Sequence, residues 1–489
     1  MDFKVIDSVS PVRVRTTLAC LDPKTTLVLV SSKSGGTIEM RCVLDAVLQH
    51  FEEVGLSKKQ IARQLVAITD PDSPLEQRAH DENWRACFLG EPTVGGRFSA
   101  LSVFGLVPAA LVGIDLDEFM ARAREAELAC AEDSVDNPAV ALASFLYDGW
   151  LRGRDKFCFL TPKRGRVLGL WIEQLVAESL GKNGQGILPN IELHTLMLTE
   201  DPGDRSVVTY QTKTDLWDER KNFEMALTYI DPAIPRMSYR VEDVVELASH
   251  FVTWEYATAM CGYLMDVCPF DQPDVASTKS AALRILASGM PEPTFRATFV
   301  AGVDMGQAEV TCAPCVASDN LMDALKTLLS SIQPGDYFAL DAFLPFDGEG
   351  RREGLEAIRH NIGASLGVVS CLEIGPRYLH STGQLQKGGP DNGVYLLLSA
   401  GELRDIPLRG LEAESLGTLA RAQAAADLSI LIERGRRCMH LHLPDNSGVA
   451  IHALAEAIAY VLAEIEAERG DAALAEAEAE AILAYASKS

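Results

Sequence analysis

The sequence predicts an α/β protein built on parallel sheets, and three observations carry that expectation. Continuous apolar, β-branched runs, such as residues 25–30, give way to segments whose apolar residues recur at helical spacing, as Ile38, Val43, Leu44, Val47, Leu48 and Phe51 do. The runs are unbroken rather than alternating, which suits strands covered on both faces. The same grammar then restarts beyond a polar stretch at 131–137 and Pro138, so the chain carries more than one such unit.

The first unit, 1–130, opens with the strand 25–30, passes through a Ser/Gly cluster into a helix, and returns as a strand over 64–69 that stops at the turn signal DPDSP. The second unit, 137–290, is read as a strand over 156–160, a helix over 167–179, short strands at 187–193, 207–212 and 237–240, and a long helix over 241–267. From 291 to 489 the apolar runs 337–344, 367–374 and 394–398, set between helical segments, predict a third, C-terminal α/β domain. The Ala/Glu-rich end of the chain from Ala453 predicts a solvated helix that Gly470 breaks in two.

Composition narrows the function. Asp and Glu outnumber Lys and Arg by 69 to 44, a formal net charge of −25 that repels nucleic acid and anionic lipid. A small phosphorylated ligand is still compatible with it, because an arginine, backbone amides and a helix N-terminus act locally. The start MDFKVIDSVS lacks the basic-then-apolar pattern of an export signal, so a cytoplasmic location is expected. The longest weakly polar stretch, 100–114, is shorter than the roughly 20 residues of a membrane span and contains Pro108; it is expected as buried loop and helix, with no membrane partner. The 11 cysteines are read as reduced core residues. Cys312 and Cys315 have redox or zinc half-site spacing but lack a second pair, and His440 and His442 share one face of a predicted strand as ordinary half-buried histidines.

The residues 31–37, SSKSGGT, lie between a predicted strand and a predicted helix. Such a turn aims backbone N–H groups and hydroxyls at one spot, where the helix macrodipole favours an anion, and it sits at the carboxyl end of a parallel strand, where ligands bind in this architecture. Alone, the heptapeptide reads as a flexible turn. The longer segment SSKSGGTIE resembles the phosphate-binding segment of sugar isomerase domains, and Gly95-Gly96-Arg97-Phe98-Ser99 resembles a signature of the glucose-6-phosphate isomerases. The run 171–179, WIEQLVAES, followed by Gly181-Lys182, is similar to that family's catalytic helix, and FDQPDV at 270–275 with Lys279 is similar to its closing signature. The similarity extends into IGPRYLHSTGQLQKGGPDNG at 374–393. It is nearest to the isomerase half of bacterial proteins that fuse a transaldolase to a glucose-6-phosphate isomerase, whose transaldolase half has no counterpart here.

The resemblance implies two flavodoxin-like sugar isomerase domains followed by the C-terminal domain, a phosphosugar substrate, no cofactor and no metal. Glu178 is then the carboxylate that moves a proton between neighbouring carbons through an enediolate, and Arg97 supplies positive field to the enediolate oxygens. Taken alone, each residue reads as a solvated or ion-paired side chain. Gln174, one helical turn before Glu178, and Gln272 hydrogen-bond sugar hydroxyls; Ser32, Ser34 and Thr37 clasp the phosphate; Gly96 is a further substrate-binding residue; Lys279 assists ring opening. No histidine lies in the interval after Glu178 where the family places its ring-opening residue, since His194 comes early and His250 late; His380 in LHSTGQ is the replacement. The family's first domain opens on a strand and Gly-rich loop ahead of the segment matching 5–8, so an incomplete first domain is expected. A homodimer is compatible with the family, without residues here that mark an interface. A phosphosugar sensor is the competing reading, and retention of Arg97, Glu178, Gln272 and Lys279 together separates the two.

Overall fold

The computed structural model describes residues 2–191, 195–346 and 348–486. The described residues pack as two compact units, one made of 2–291, 374–391 and 402–430, the other of 292–373, 392–401 and 431–486. The stretches 374–391 and 402–430, expected in the C-terminal domain, therefore pack with the first unit.

The first unit holds two all-parallel sheets. In one, β1 (Val28–Ser31), β2 (Leu65–Thr69) and β3 (Ala86–Leu89) lie in that order, with Val30 opposite Ala67 and Ala67 opposite Cys87. β2 is buried along its whole length, as a central strand of five apolar or β-branched residues should be. Residues 2–10 contain no strand, which leaves β1 at the sheet edge. In the other sheet, β4 (Lys156–Leu160), β5 (Leu188–Ile191), β6 (Arg205–Thr212) and β7 (Arg236–Val241) take the order β5-β4-β6-β7. The long helix expected over 241–267 is in fact the end of β7 followed by a helix Leu247–Leu264. His194 and residues 192–193 of the expected strand 187–193 lie outside the described residues.

Local chemistry sets the junctions. Asn137 accepts from the amides of Ala139 and Val140 and caps the helix Pro138–Leu151, whose first residue needs no N–H partner. The helix Arg166–Leu180 follows β4, and Gly169 lets it lie close to the sheet: a Cβ there would come within 2.9 Å of Phe159 and 3.0 Å of Ile191. That close approach buries Ile172, Leu175, Val176 and Leu180 and carries Glu173, Glu178 and Ser179 inward with them. The apolar helix Val103–Leu111 forms as expected, with Pro108 inside it, but none of its residues is buried; each stays at least partly open to solvent.

The second unit has a mixed sheet of β8 (Phe295–Ala301), β9 (Asp304–Cys312), β10 (Tyr337–Phe343), β11 (Val369–Ile374), β12 (Gly393–Ala400) and β13 (Arg437–Leu443), ordered β11-β10-β12-β13-β9-β8. β10, β12 and β13 are parallel, whereas β9 runs antiparallel to β13 and pairs with β8 as a hairpin. Gly470 does not break the last helix, which runs from Gly448 to Ala486. A single glycine costs a helix only about 1 kcal/mol, and alanines and glutamates on both sides offset it. Its segment Gly448–Gly470 is long and apolar enough to cross a bilayer by composition, yet half of it is buried, with Ile451, Leu454, Ile458 and Leu462 in the core of this unit.

Two further sequence features resolve locally. Cys312 ends β9, with burial pushing its thiol up to about 11, and Cys315 is exposed in a 3₁₀ turn Pro314–Val316 rather than at an α-helix start. His440 and His442 both meet the Ser399 hydroxyl, at 2.8 and 2.7 Å, and no metal-binding group of three ligands exists among the described residues.

Candidate active site

The Ser/Gly loop leaves β1 and enters the helix Ile38–Glu53. Ser32 and Thr37 close it from either end, their hydroxyls 3.1 Å apart, and the Ser34 hydroxyl accepts from the Gly36 amide at 3.3 Å. Gly35 is required by geometry: its φ is +64°, and a Cβ would fall 2.7 Å from the Leu75 nitrogen. Lys33 turns away from the loop. Its ammonium meets the Asp70 carboxylate at 2.5 Å and the carbonyls of Glu91 and Pro92, so it ties three loops together.

Arg97, in the 3₁₀ turn Gly96–Phe98, is 3% exposed and every arm of its guanidinium is used. Nε donates to Ser179 at 2.8 Å, Nη1 to Gln272 Oε1 at 3.0 Å, and Nη2 to the carbonyls of Pro269 and Asp271 at 2.6 and 2.9 Å. The Glu178 carboxylate stands 3.5 Å from Nη1. Gln174 donates to the other Glu178 oxygen at 3.2 Å, as their one-turn spacing predicts. Burial raises the Glu178 carboxyl above the usual glutamate range, and Arg97, Gln174, His380 and Lys182 oppose that rise without cancelling it. Gly96, although adjacent, is exposed, and its carbonyl accepts from Ser99.

Lys182, which the sequence presented only as part of a family motif, is buried and clamps the same loop as Arg97. It donates to the Cys268 carbonyl and meets Asp271 at 2.8 Å, while burial lowers its pKa. Gln384 completes the fastening by accepting from the Asp274 amide and donating to the Asp274 carboxylate.

A cleft of about 230 Å³ opens beside the Ser/Gly loop, lined in part by Ser34, Thr37, Glu39, Arg41, Lys279 and His380. Loop, lysine and histidine, far apart in sequence, thus converge on one cavity. The buried pair Glu178 and Arg97, with half-buried Gln174 and exposed Gln272, forms the cluster described above, and none of the four is among the residues that line the cleft. Lys279 is exposed. His380 Nε2 lies 3.4 Å from Glu39, and a carboxylate can only accept, so that nitrogen carries the hydrogen. Burial works against the Glu39 charge, but the bond and charge of His380, with Gln423 donating at 2.7 Å, hold its carboxyl below the usual range. Glu39 was visible as the last residue of SSKSGGTIE; Gln423, 384 residues away, gave no local signal.

Residues 1–190 match the phosphoglucose isomerase family. The matched region is thus similar to the phosphoglucose isomerases. It includes the Ser/Gly loop, Arg97, Gln174 and Glu178 and leaves Gln272, Lys279 and His380 outside. A glucose-6-phosphate isomerase of Rippkaea orientalis is 41% identical over 187 residues, covering 37% of this chain and 35% of that protein. One from a Synechococcus species is 31% identical over 322 residues, covering 58% of this chain and 60% of its own. The chain thus spans from about a third to about three fifths of these phosphoglucose isomerases. A solved structure, a hypothetical protein of Thermus thermophilus, shares 27% identity at a TM-score of 0.51, covering 59% of this chain and 77% of that one. The α/β architecture with parallel sheets agrees with it.

Proposed function

We propose that this chain interconverts glucose 6-phosphate and fructose 6-phosphate. The observation that carries the reading is Glu178: a buried carboxylate beside Arg97 at 3.5 Å, with a raised pKa, within the region matched to the isomerase family. A carboxylate in that setting takes the proton from C2 of the open-chain aldose and returns it to C1, and the intervening enediolate carries negative charge that Arg97 stabilises. Gln174 and Gln272, each already bonded to one of that pair, orient sugar hydroxyls. The reaction moves protons alone, so its chemistry calls for no redox carrier.

The phosphate is held at the loop, where Ser32, Ser34 and Thr37 offer hydroxyls and the following helix offers its positive end. Lys279 adds charge at the cleft wall. Ring opening moves a proton from the C1 hydroxyl to the ring oxygen. His380, lining the same cleft and oriented by Glu39, performs it.

The test separates the two proton transfers. His380→Ala is expected to be slow on the cyclic sugar and near the parent rate on an open-chain analogue, since Glu178 performs that step. Equal impairment on both substrates assigns His380 a structural role, and a parent protein that converts neither substrate contradicts the isomerase reading.

A further inference from the structure

Resting on the reading of the cleft as a phosphosugar site, we propose that Arg41 is a phosphate-recognition residue, held in reserve by Glu412 and released to the substrate's dianion on binding. Thr37 caps the helix and Arg41 lies four residues on, so the two share a face one turn, about 6 Å, apart. Side chains on a helix lean toward its N-terminus, which inclines Arg41 toward the loop where the phosphate is held. Arg41 and Glu412 both line the cleft that Ser34 and Thr37 line.

The charges around the cavity explain why another cation is needed. Lys33, the lysine of the loop itself, is committed to Asp70 and two carbonyls. Of the lining residues, Arg41 and Lys279 carry fixed positive charge, against Glu39 and Glu412. A phosphate dianion entering next to two carboxylates needs both cations to be favourable. Arg41 Nη1 now meets Glu412 at 2.9 Å, with the two side chains 35% and 41% exposed. A pair that open contributes little and exchanges readily. A phosphate offers the guanidinium a doubly charged, bidentate partner instead. Glu412 keeps the cation extended across the cleft wall when no anion is present and sets a cost that neutral sugars cannot offset, which favours phosphorylated ligands.

Calorimetric titration of the full chain with glucose 6-phosphate and with inorganic phosphate, alongside turnover, tests this. Arg41→Ala is expected to weaken phosphosugar binding and raise KM by about 10- to 100-fold with kcat nearly unchanged, the loss of one charged hydrogen-bonding group. Arg41→Lys should recover part of the loss, and Glu412→Gln, which frees the arginine, should tighten both ligands a few-fold. Parent-like affinity in Arg41→Ala, or Glu412→Gln weakening phosphate, overturns the role of Arg41 and leaves the cleft assignment standing. A parent that binds no phosphosugar at all overturns both.

Discussion

Glu178→Gln is expected to lower turnover by about 10²- to 10⁴-fold while phosphosugar affinity survives, the range that loss of a positioned general base produces. The amide keeps the shape of the side chain and can still accept from Gln174, so what disappears is the basic oxygen and its charge beside Arg97. The pH profile of the parent carries a second signature of the same group. Because burial lifts the Glu178 carboxyl, and the carboxylate is the active form, activity should fall with acidification at a pH above the ordinary glutamate value of about 4.3. In Glu178→Gln that acidic limb should vanish from the residual rate. Turnover equal to the parent's removes Glu178 from the mechanism.

Arg97→Lys is expected to cost at least about 10²-fold in turnover, comparable to removing one donor aimed at a developing oxyanion. An ammonium cannot reproduce a planar fork that reaches Ser179, Gln272 and two carbonyls at once. The same substitution should lower stability by about 1 to 3 kcal/mol for each buried acceptor left unpaired, of which the carbonyl of Pro269 is the most enclosed. Thermal unfolding separates the two effects: at a temperature where the variant is fully folded, a rate still depressed assigns Arg97 to the chemistry. A parent-like rate there makes it a structural ion pair.

The parallel strands were legible because a buried strand leaves a largely apolar run, as β2, β4 and β12 do and as β10 does apart from Asp341. The strand β3 was not, since its four residues, ACFL, are half-buried or exposed and too few to make a pattern. The β8–β9 hairpin escaped for a related reason: its residues are mostly exposed or half-buried, so hydrophobic periodicity is weak. Motifs located Arg97 and Glu178, whose contact follows from helix geometry and the turn Gly96–Phe98. What holds them was less visible. Lys182 on Cys268 and Gln384 on Asp274 are tertiary contacts across 86 and 110 residues, and nothing in local sequence announces them. Composition also misjudged the helix Val103–Leu111, because apolar content alone does not say whether a partner surface is there to cover it.

Proton exchange at carbon tests the central claim most directly. The full chain, incubated with fructose 6-phosphate in deuterium oxide and followed by NMR, is expected to place deuterium at C1 of the ketose and at C2 of the aldose it forms. Glu178→Gln is expected to place none on the same timescale. Deuterium incorporation that is equally fast in both proteins, or interconversion by the parent that leaves both sugars free of deuterium through many turnovers, would contradict a proton shuttled by Glu178 through an enediolate.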